Sequence, residues 1–364
     1  MPSLPKTPSP APDLADLEPR RVCIIKPSSL GDVVHAFPVL HALRTRWPNA
    51  HIAWVINRSL RSLVDGHPEI DEVILYDRAK AGFSREGLHT IGSLFHRLRR
   101  GRFDLTIDLQ GLLRSGLMAG ATMAPIRVGM RGSREGASWF YSHQTSGPVG
   151  SCHEVDRLLQ LAEAFGAVPS PARFVLAVSD QDREWARRVL EPLPGPRIAF
   201  NPGARWMTKR WPPEHFAEVA RRAAVELGAG LIAVGANEDR PLVEALRKPL
   251  GPVPMLDLCG KTTLPQLAAL ASELDLFVSN DTGPLHLAAA TGAKVIGIFT
   301  CTNPGRTGPY GENARVVTSK IWCAASYVKT CDRLDCMTEL TPARVWHAVR
   351  EELQAEPRRI ATAQ

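Results

Sequence analysis

The chain alternates short apolar strands with amphipathic helical stretches from residue 21 onward, and it does so in two successive runs. This order is typical of parallel sheets, because neighbouring parallel strands need a long return connection, usually a helix. The first unit is predicted as a strand over 22–26, a turn over 27–31 and a helix over 32–46. Further strands of this half are predicted over 51–56, 72–76, 105–109 and 126–129, before a helix over 154–165.

A proline-rich interval separates the two runs. Prolines at 169, 171, 192, 194 and 196 surround one predicted helix over 180–190, and we place the domain boundary near residues 167–179. The second run predicts strands over 197–201, 230–234, 256–258, 276–279 and 295–299, and a last helix over 342–353.

This pattern predicts an α/β protein with two doubly wound parallel-sheet domains. We expect a disordered Pro-rich leader over residues 1–20, an N-terminal domain over 21–172 and a C-terminal domain over 173–340. The helix over 341–356 is expected to pack back on the N-terminal domain. Ligands of such sheets bind outside the carboxyl ends of the strands, so we expect the chemistry in loops that follow strands, at a cleft between the two halves.

Composition narrows the choice of partners. Of the 364 residues, 44 are Lys or Arg and 37 are Asp or Glu, so the net charge is +7, which suits an anionic ligand or an anionic surface. Every apolar run is far shorter than the roughly 18 residues of a membrane span. The N-terminus also lacks the features of a secretory signal. We therefore expect a cytoplasmic protein without a transmembrane segment.

The cysteines do not indicate a disulfide framework. Their number, seven, is odd, and they are spread over a long chain, which favours reduced thiols. Cys323, Cys331 and Cys336 form a late cluster without zinc-ribbon spacing, and a fourth metal ligand would have to be Cys301 or His347. We interpret the cluster as structural thiols.

The loop over 26–32 follows the first strand and opens the first helix. Unpaired N–H groups at a helix start favour an ionised carboxylate, so Asp32 is a candidate base. A simple helix cap explains Asp32 equally well. The loop has one glycine, too few for the dinucleotide fingerprint, which argues against NAD.

The corresponding loop of the second half covers residues 279–286. Backbone N–H groups of Thr282 and Gly283 could hold a phosphate at a helix start, and His286 lies one turn further on the same face. An Asp281 or Thr282 cap followed by a core histidine is the alternative, and we favour the phosphate site because Asp, Thr, Gly and His occur together. Lys209, in a loop after another strand, is a group of the type that neutralises a leaving diphosphate.

Three other groups of charged residues allow weaker interpretations. Glu238 and Asp239 could grip a ribose diol or form the exposed first turn of a helix. The Asp180-Gln181-Asp182 run is interpreted as a helix cap, and no catalytic metal is predicted. Arginine clusters at 97–102 and 127–134 lack the interleaved aromatic residues of a nucleic-acid platform. They form a solvated face or a docking surface for a phosphorylated, membrane-embedded substrate.

Five segments together resemble the ADP-heptose:lipopolysaccharide heptosyltransferases, glycosyltransferase family 9. They are the run over 21–43, the D-L-Q-G-L run over 108–112 with Arg114 and Ser115, and the segments over 133–135, 209–212 and 281–286. The resemblance extends from residue 21 to residue 353 and is greatest to the heptosyltransferase I branch. The leader and the Cys-rich stretch over 322–337 depart from that branch.

The resemblance implies a GT-B fold of two Rossmann-like domains, with the nucleotide sugar on the C-terminal one and the acceptor on the N-terminal one. It implies inverting, metal-independent transfer of heptose from ADP-heptose to an anionic glycolipid at the inner face of the membrane, by a cytoplasmic or peripheral enzyme without a cofactor. Asp32 resembles the general base. The implied donor and acceptor residues are Lys209, Asp281, Thr282, Gly283 and His286 for the diphosphate, Asp239 or Glu238 for the ribose, and Arg134, Arg78 and Lys80 for the acceptor.

Three alternatives stay open at this point. One is a family 9 enzyme that uses another nucleotide sugar or builds another surface polysaccharide, since a few pocket contacts decide the choice of sugar. Another is a protein that binds a nucleotide sugar without transferring it, which would tolerate Asp32→Asn. The weakest is a basic RNA-binding protein, because no aromatic platform is present.

Overall fold

A computed structural model describes residues 13–80, 84–145, 152–168 and 171–355, and within them the chain forms two six-stranded parallel sheets. The first sheet has the order β3-β2-β1-β4-β5-β6 and the second the order β12-β11-β10-β7-β8-β9, so both follow one doubly wound topology. The strands are β1 (Arg21–Ile25), β2 (His51–Asn57), β3 (Glu72–Tyr76), β4 (Leu105–Asp108), β5 (Ile126–Met130), β6 (His143–Thr145), β7 (Arg197–Asn201), β8 (Gly230–Ala233), β9 (Met255–Asp257), β10 (Leu276–Asn280), β11 (Val295–Phe299) and β12 (Ala314–Thr318).

Helices connect the strands. They are α1 (Leu30–Val34), α2 (Phe37–Arg46), α3 (Arg85–Arg100), α4 (Leu113–Ala121), α5 (Glu154–Glu163), α6 (Asp180–Leu190), α7 (Pro213–Leu227), α8 (Arg240–Arg247), α9 (Leu264–Ser272), α10 (Gly283–Ala290), α11 (Pro304–Thr307), α12 (Asp335–Glu339) and α13 (Pro342–Gln354).

The predicted strands are confirmed to within a residue or two, and the predicted fold class is correct. The single helix predicted over 32–46 is wrong, because two helices, α1 and α2, occupy this stretch. Pro38 explains the break, since proline lacks the N–H that an uninterrupted helix would need there, whereas it fits the first turn of α2. Strands β6 and β12 were not predicted, because both are edge strands without a buried apolar run.

Both faces of the first sheet are covered, which explains the continuous apolar run of β1. Cys23 and Ile25 pack on the side of α3 and α4, and Val22 and Ile24 pack on the side of α2 and α5. A strand buried on both faces must be apolar at every position, unlike the alternating strand of a half-exposed sheet.

The last helix packs on the second half, so the predicted return to the N-terminal domain is wrong. Val345, Trp346 and Val349 of α13 are buried in the same apolar cluster as α7 and the second sheet. The Arg222 guanidinium of α7 lies 5.0 Å from the Trp346 ring centre. The apolar face of α13 therefore finds its cover locally, without crossing the cleft.

Part of the predicted leader is ordered. A short 3-10 turn covers Leu14–Asp16, the Trp47 indole N–H donates to the Leu17 carbonyl, and Arg46 pairs with Glu18 at 2.6 Å. The prediction of disorder is therefore wrong for residues 13–20. Residues 1–12, residues 169 and 170 within the predicted boundary, and residue 356 lie outside the described residues.

Helices α1 and α10 bring the two halves into contact. A Cβ atom at Gly31 of α1 would lie 2.6 Å from the His286 ring, and one at Gly283 of α10 would lie 2.5 Å from the Leu30 side chain. The two backbones thus approach at positions where only glycine leaves room.

Across the ranges that the structure describes, no helix is long and apolar enough to span a bilayer.

Candidate active site

The site lies where the carboxyl ends of the two sheets face each other. In the first sheet the strand order reverses between β1 and β4, and in the second between β7 and β10. Loops diverge at such a reversal and leave a crevice for a ligand. Asp32 follows β1, Lys209 follows β7, and Asp281 follows β10, so the candidate residues line the two crevices.

Asp32 lies in the first turn of α1 and is half-buried. Its Oδ2 atom accepts hydrogen bonds from the Ser29 backbone N–H at 2.9 Å and from the Ser29 hydroxyl at 2.6 Å. The carboxylate is therefore held in one orientation by the turn that precedes the helix. It also caps the helix, so the two interpretations of Asp32 are compatible.

A buried lysine keeps Asp32 ionised. Burial by itself raises the pKa of Asp32, but the charge of Lys26, the two bonds from Ser29 and the nearby His286 outweigh it and lower the pKa below the ordinary value. The Lys26 ammonium is 2% exposed, donates to the Leu109 carbonyl at 2.8 Å and lies 3.9 Å from Glu154. Asp32 is thus a carboxylate at neutral pH, able to accept a proton.

Asp281 is the central anion of the second half. Its carboxylate lies 2.5 Å from the Lys209 ammonium, accepts a hydrogen bond from the Thr302 hydroxyl and lies 3.6 Å from the His286 Nε2. These contacts join the loops after β7, β10 and β11 at one point. A buried charge needs such partners, since an unpaired carboxylate in the interior is strongly disfavoured.

The same contacts hold the pKa of Asp281 at about 2. Burial raises the pKa, but the neighbouring His286 and Lys209 lower it by more. Because this pKa is depressed, the carboxylate stabilises the fold above its ordinary value near 3.8, and this stabilisation is lost as the pH falls towards 2. At neutral pH Lys209 is therefore fixed beside the start of α10 by an ion pair.

The N-terminus of α10 offers donors to an anion. Thr282 is the N-cap, and its side chain makes no capping hydrogen bond to other described residues. Pro284 has no N–H and the Leu285 N–H donates to the Thr282 carbonyl at 3.1 Å, so the donors that the helix start offers to an anion are the N–H groups of Thr282 and Gly283. His286, one turn on, is buried, and its Nδ1 has no hydrogen-bond partner among the residues that the structure describes. Thr282, Gly283, His286 and Lys209 are thus brought together.

Asp239 and Glu238 lie at the neighbouring strand end, after β8. The Asp239 carboxylate accepts from the Ala236 N–H at 2.9 Å and lies so close to Gly203 that a Cβ there would be 2.3 Å from it. Asp239 therefore fixes its own turn against the loop after β7. Glu238 is exposed beside it.

Arg134 belongs to a segment that is bound to the loop after β4. Its backbone N–H donates to the Gly111 carbonyl at 2.9 Å, and the Glu135 carboxylate accepts from the Leu113 N–H. The buried Asp108 carboxylate, at the end of β4, accepts a hydrogen bond from the Tyr141 hydroxyl at 2.6 Å. This bond ties the start of the same loop to the segment that follows Arg134. The Arg134 side chain itself is exposed.

Arg78 and Lys80 follow β3 on the opposite side of Asp32. Both are exposed, and the Lys80 ammonium lies 3.5 Å from the Glu86 carboxylate. Since β3 and β5 each lie two strands from β1, the strands that precede these basic groups lie about 10 Å from β1 on either side. The candidate acceptor residues thus follow strands on both sides of the one that precedes Asp32, apart from one another.

Three residues near the candidate site were not singled out from the sequence. Lys26 supports Asp32, and Thr302 supports Asp281. Lys329 comes from the Cys-rich stretch, and its ammonium lies 5.1 Å from the Trp206 ring centre, with the Lys209 ammonium 4.7 Å from the same centre. A lysine at the end of a buried strand was a usable signal for Lys26, whereas the other two depend on long-range contacts.

The Cys-rich stretch covers the Lys209 loop. The Thr208 hydroxyl donates to the Val328 carbonyl at 2.7 Å, and the Tyr327 N–H donates to the Cys301 carbonyl. Burial and the neighbouring thiols raise the pKa of Cys336 to about 11, so this thiol is protonated at neutral pH. The stretch therefore packs against the loop that carries Lys209.

The contact between α1 and α10 leads to a testable expectation. Gly283→Ala should lower the rate of the reaction at this site by about a hundredfold, because the added methyl group pushes Leu30, and with it Asp32, away from the start of α10 by a fraction of an ångström. Steady-state kinetics measure this effect. Gly92→Ala, within α3, is the matched control, since apart from its chain neighbours and the backbone of its own helix a Cβ there meets no described atom within 4 Å. An unchanged kcat would show that turnover does not need this contact.

Comparison with known proteins places these features in a family. The sequence profile described as glycosyltransferase family 9 (heptosyltransferase) matches residues 91–337. The chain is 29% identical over 303 residues to the lipopolysaccharide core heptosyltransferase OpsX of Haemophilus influenzae, which covers 82% of this chain and 84% of that protein. It is 30% identical over 360 residues to lipopolysaccharide heptosyltransferase 1 of Pseudomonas aeruginosa, with 89% and 96% covered.

The fold is also similar to a solved structure. E. coli heptosyltransferase WaaC with ADP superposes with a TM-score of 0.72 at 25% identity, over 91% of this chain and 99% of that one. Similarity thus extends over both sheets.

Proposed function

This chain belongs to glycosyltransferase family 9 and is a glycosyltransferase, and we propose that it transfers heptose from ADP-heptose to the lipopolysaccharide inner core, on Kdo-lipid A or a related acceptor. The observation that carries the proposal is the ionised Asp32 beside the Lys209–Asp281–His286 cluster across one cleft. The family and the WaaC structure with ADP favour ADP-heptose over other nucleotide sugars.

We propose that the second half holds the donor. The diphosphate would lie at the start of α10, where the N–H groups of Thr282 and Gly283 and the imidazole of His286 face it. Lys209, positioned by Asp281, would neutralise the charge that develops on the β-phosphate as ADP leaves. Glu238 would accept hydrogen bonds from the ribose diol, with Asp239 fixing the turn that presents it.

The first half would then hold the acceptor. Arg134, Arg78 and Lys80 would face its carboxylates and phosphates from two sides of Asp32. An anionic glycolipid fits this arrangement, and with it a cytoplasmic enzyme that acts peripherally at the inner membrane. We propose the residues up to about 172 as the acceptor domain and those from 173 to 340 as the donor domain.

The reaction follows from these positions. Asp32 accepts the proton of the acceptor hydroxyl while the hydroxyl oxygen forms a bond to the anomeric carbon. The bond from that carbon to the β-phosphate oxygen breaks, and its electron pair leaves with ADP towards Lys209 and α10. Attack from the face opposite the leaving group inverts the anomeric centre. In this scheme the protein's own cations neutralise the leaving group, and no metal or cofactor takes part.

Ligand-induced stabilisation tests the donor. ADP or ADP-heptose at 100 times its dissociation constant should stabilise the protein by about 2.7 kcal/mol, whereas UDP, GDP and dTDP sugars should have little effect. His286→Ala should abolish the shift, and His347→Ala, an exposed histidine on α13, should leave it unchanged. A larger shift in melting temperature with another nucleotide sugar would exclude ADP-heptose as the donor. No shift with any of the nucleotides and nucleotide sugars would argue against a nucleotide-sugar enzyme.

A further inference from the structure

Three large apolar side chains are exposed on adjoining elements of the first half. Leu113 and Leu117, one turn apart on α4, are each 39% exposed, and Trp139, in the 3-10 turn Ala137–Phe140, is 83% exposed. We refer to these three residues as the Trp139 surface. Single exposed apolar residues are common, but a group of them on one face indicates an interaction site.

The packing of α4 explains why these residues adjoin. A Cβ atom at Gly116 would lie 2.9 Å from Ala137, and one at Gly120 would lie 2.9 Å from the Phe140 ring, so the 3-10 turn lies directly along α4. Positions 113 and 117 neighbour positions 116 and 120 on a helix surface. Leu113 and Leu117 therefore lie next to the turn that carries Trp139.

Basic residues flank the Trp139 surface. Arg131 and Arg134 are exposed in the segment between β5 and the 3-10 turn, and Arg114, which follows Leu113 in α4, is half-buried. An apolar surface with tryptophan and arginines at its rim matches the chemistry of a bilayer interface, where the indole lies at the headgroup level and cations attract anionic lipid.

The Trp139 surface is also placed beside the acceptor side of the site. Helix α4 begins after the carboxyl end of β4, which pairs with β1, the strand that precedes Asp32. A bilayer in contact with the start of α4 would thus lie at the sheet edge from which an acceptor hydroxyl must reach Asp32.

We propose that the Trp139 surface inserts shallowly into the interface of an anionic bilayer and docks the enzyme there. Docking in this way would bring the enzyme to a lipid-anchored acceptor, and it rests on the proposed function because that function supplies the acceptor. Binding to lipid vesicles that contain no acceptor tests the surface separately from the transfer reaction.

Vesicle flotation of the full chain is the first test. Wild-type protein should float with vesicles of phosphatidylcholine and phosphatidylglycerol at 70:30, and less with phosphatidylcholine alone. The triple variant L113S/L117S/W139S should bind the mixed vesicles at least about tenfold more weakly. The matched control is Trp322→Ser, which removes an 86% exposed tryptophan from the second half and should leave binding unchanged.

Tryptophan fluorescence identifies the inserted residue. Vesicles with brominated acyl chains should quench wild-type and Trp322→Phe protein equally, and Trp139→Phe should lose most of the quenching. Equal quenching in Trp139→Phe, or tight vesicle binding by the folded triple variant, would overturn the proposal. A concentration-dependent dimer that the triple variant abolishes, with vesicle binding unchanged, would assign the surface to a second copy and overturn it as well.

Transfer to a soluble, deacylated acceptor separates the two proposals. The triple variant should keep wild-type transfer to this acceptor, because its three residues lie outside the donor and acceptor groups proposed above. Transfer by wild type together with failure to bind vesicles would refute the docking surface alone. Vesicle binding without transfer of heptose by wild type would refute the proposed function alone.

Discussion

Asp32→Asn is expected to lower kcat by at least about a hundredfold, with ADP affinity close to that of the wild type. An amide keeps the size of the side chain and can still interact with Ser29, but it cannot accept the proton of the acceptor hydroxyl. Single-turnover transfer of labelled heptose measures the chemical step, and calorimetry with ADP measures donor binding.

Asp180→Asn is the matched control for this change. Asp180 also lies in the first turn of a helix, α6, and its side chain is fully exposed. It should retain full activity. An Asp32→Asn enzyme with more than a tenth of the wild-type kcat would exclude Asp32 as the general base and revive a purely structural role as a helix cap.

Lys209→Ala should lower kcat/KM by about a hundredfold to a thousandfold, because the leaving diphosphate loses the cation that we propose to neutralise it. The change also leaves Asp281 without its ion-pair partner, so its pKa should rise from about 2 and the fold should lose stability. Thermal unfolding at pH 7 separates this loss of stability from the kinetic effect, which is measured well below the melting temperature.

Lys248→Ala and Lys329→Ala complete the comparison. Lys248 is exposed at the end of α8, away from both strand-order reversals, and its removal should have no effect. Lys329 lies near the same tryptophan ring as Lys209, so its removal should weaken donor binding by a smaller factor. If folded Lys209→Ala protein had the kcat/KM of the wild type, the start of α10 would be sufficient to hold the diphosphate.

The strand pattern predicted the fold because its information is local. Each buried strand of the two sheets is an apolar run bounded by turn residues, so β1, β7 and β11 could be placed from their own sequence. The packing of α13 could not be predicted in this way. Its apolar face fits either half, and only the complete shape of α7 and the second sheet decides between them.

In the candidate site, too, some residues could be predicted from the local sequence and others could not. Asp32, Thr282 and His286 follow strands and open helices, and this context is visible in the sequence. Thr302 and Lys329 reach the site through contacts between segments distant in the chain, and no local pattern marks them. Glu238 and Asp239 could not be told apart in the sequence, whereas in the structure Asp239 lies against Gly203 and Glu238 is exposed.

The glycine contact between α1 and α10 makes the two half-sites mutually dependent. Asp32 lies in α1, and the N–H groups proposed to bind the diphosphate lie at the start of α10. Any change that widens the gap between Gly31 and Gly283 therefore also separates the proposed base from the bound nucleotide sugar. The distance between a base in one sheet and an anion site in the other is thus set by two residues that carry no functional group of their own. The two half-sites act as one only while both positions lack a side chain.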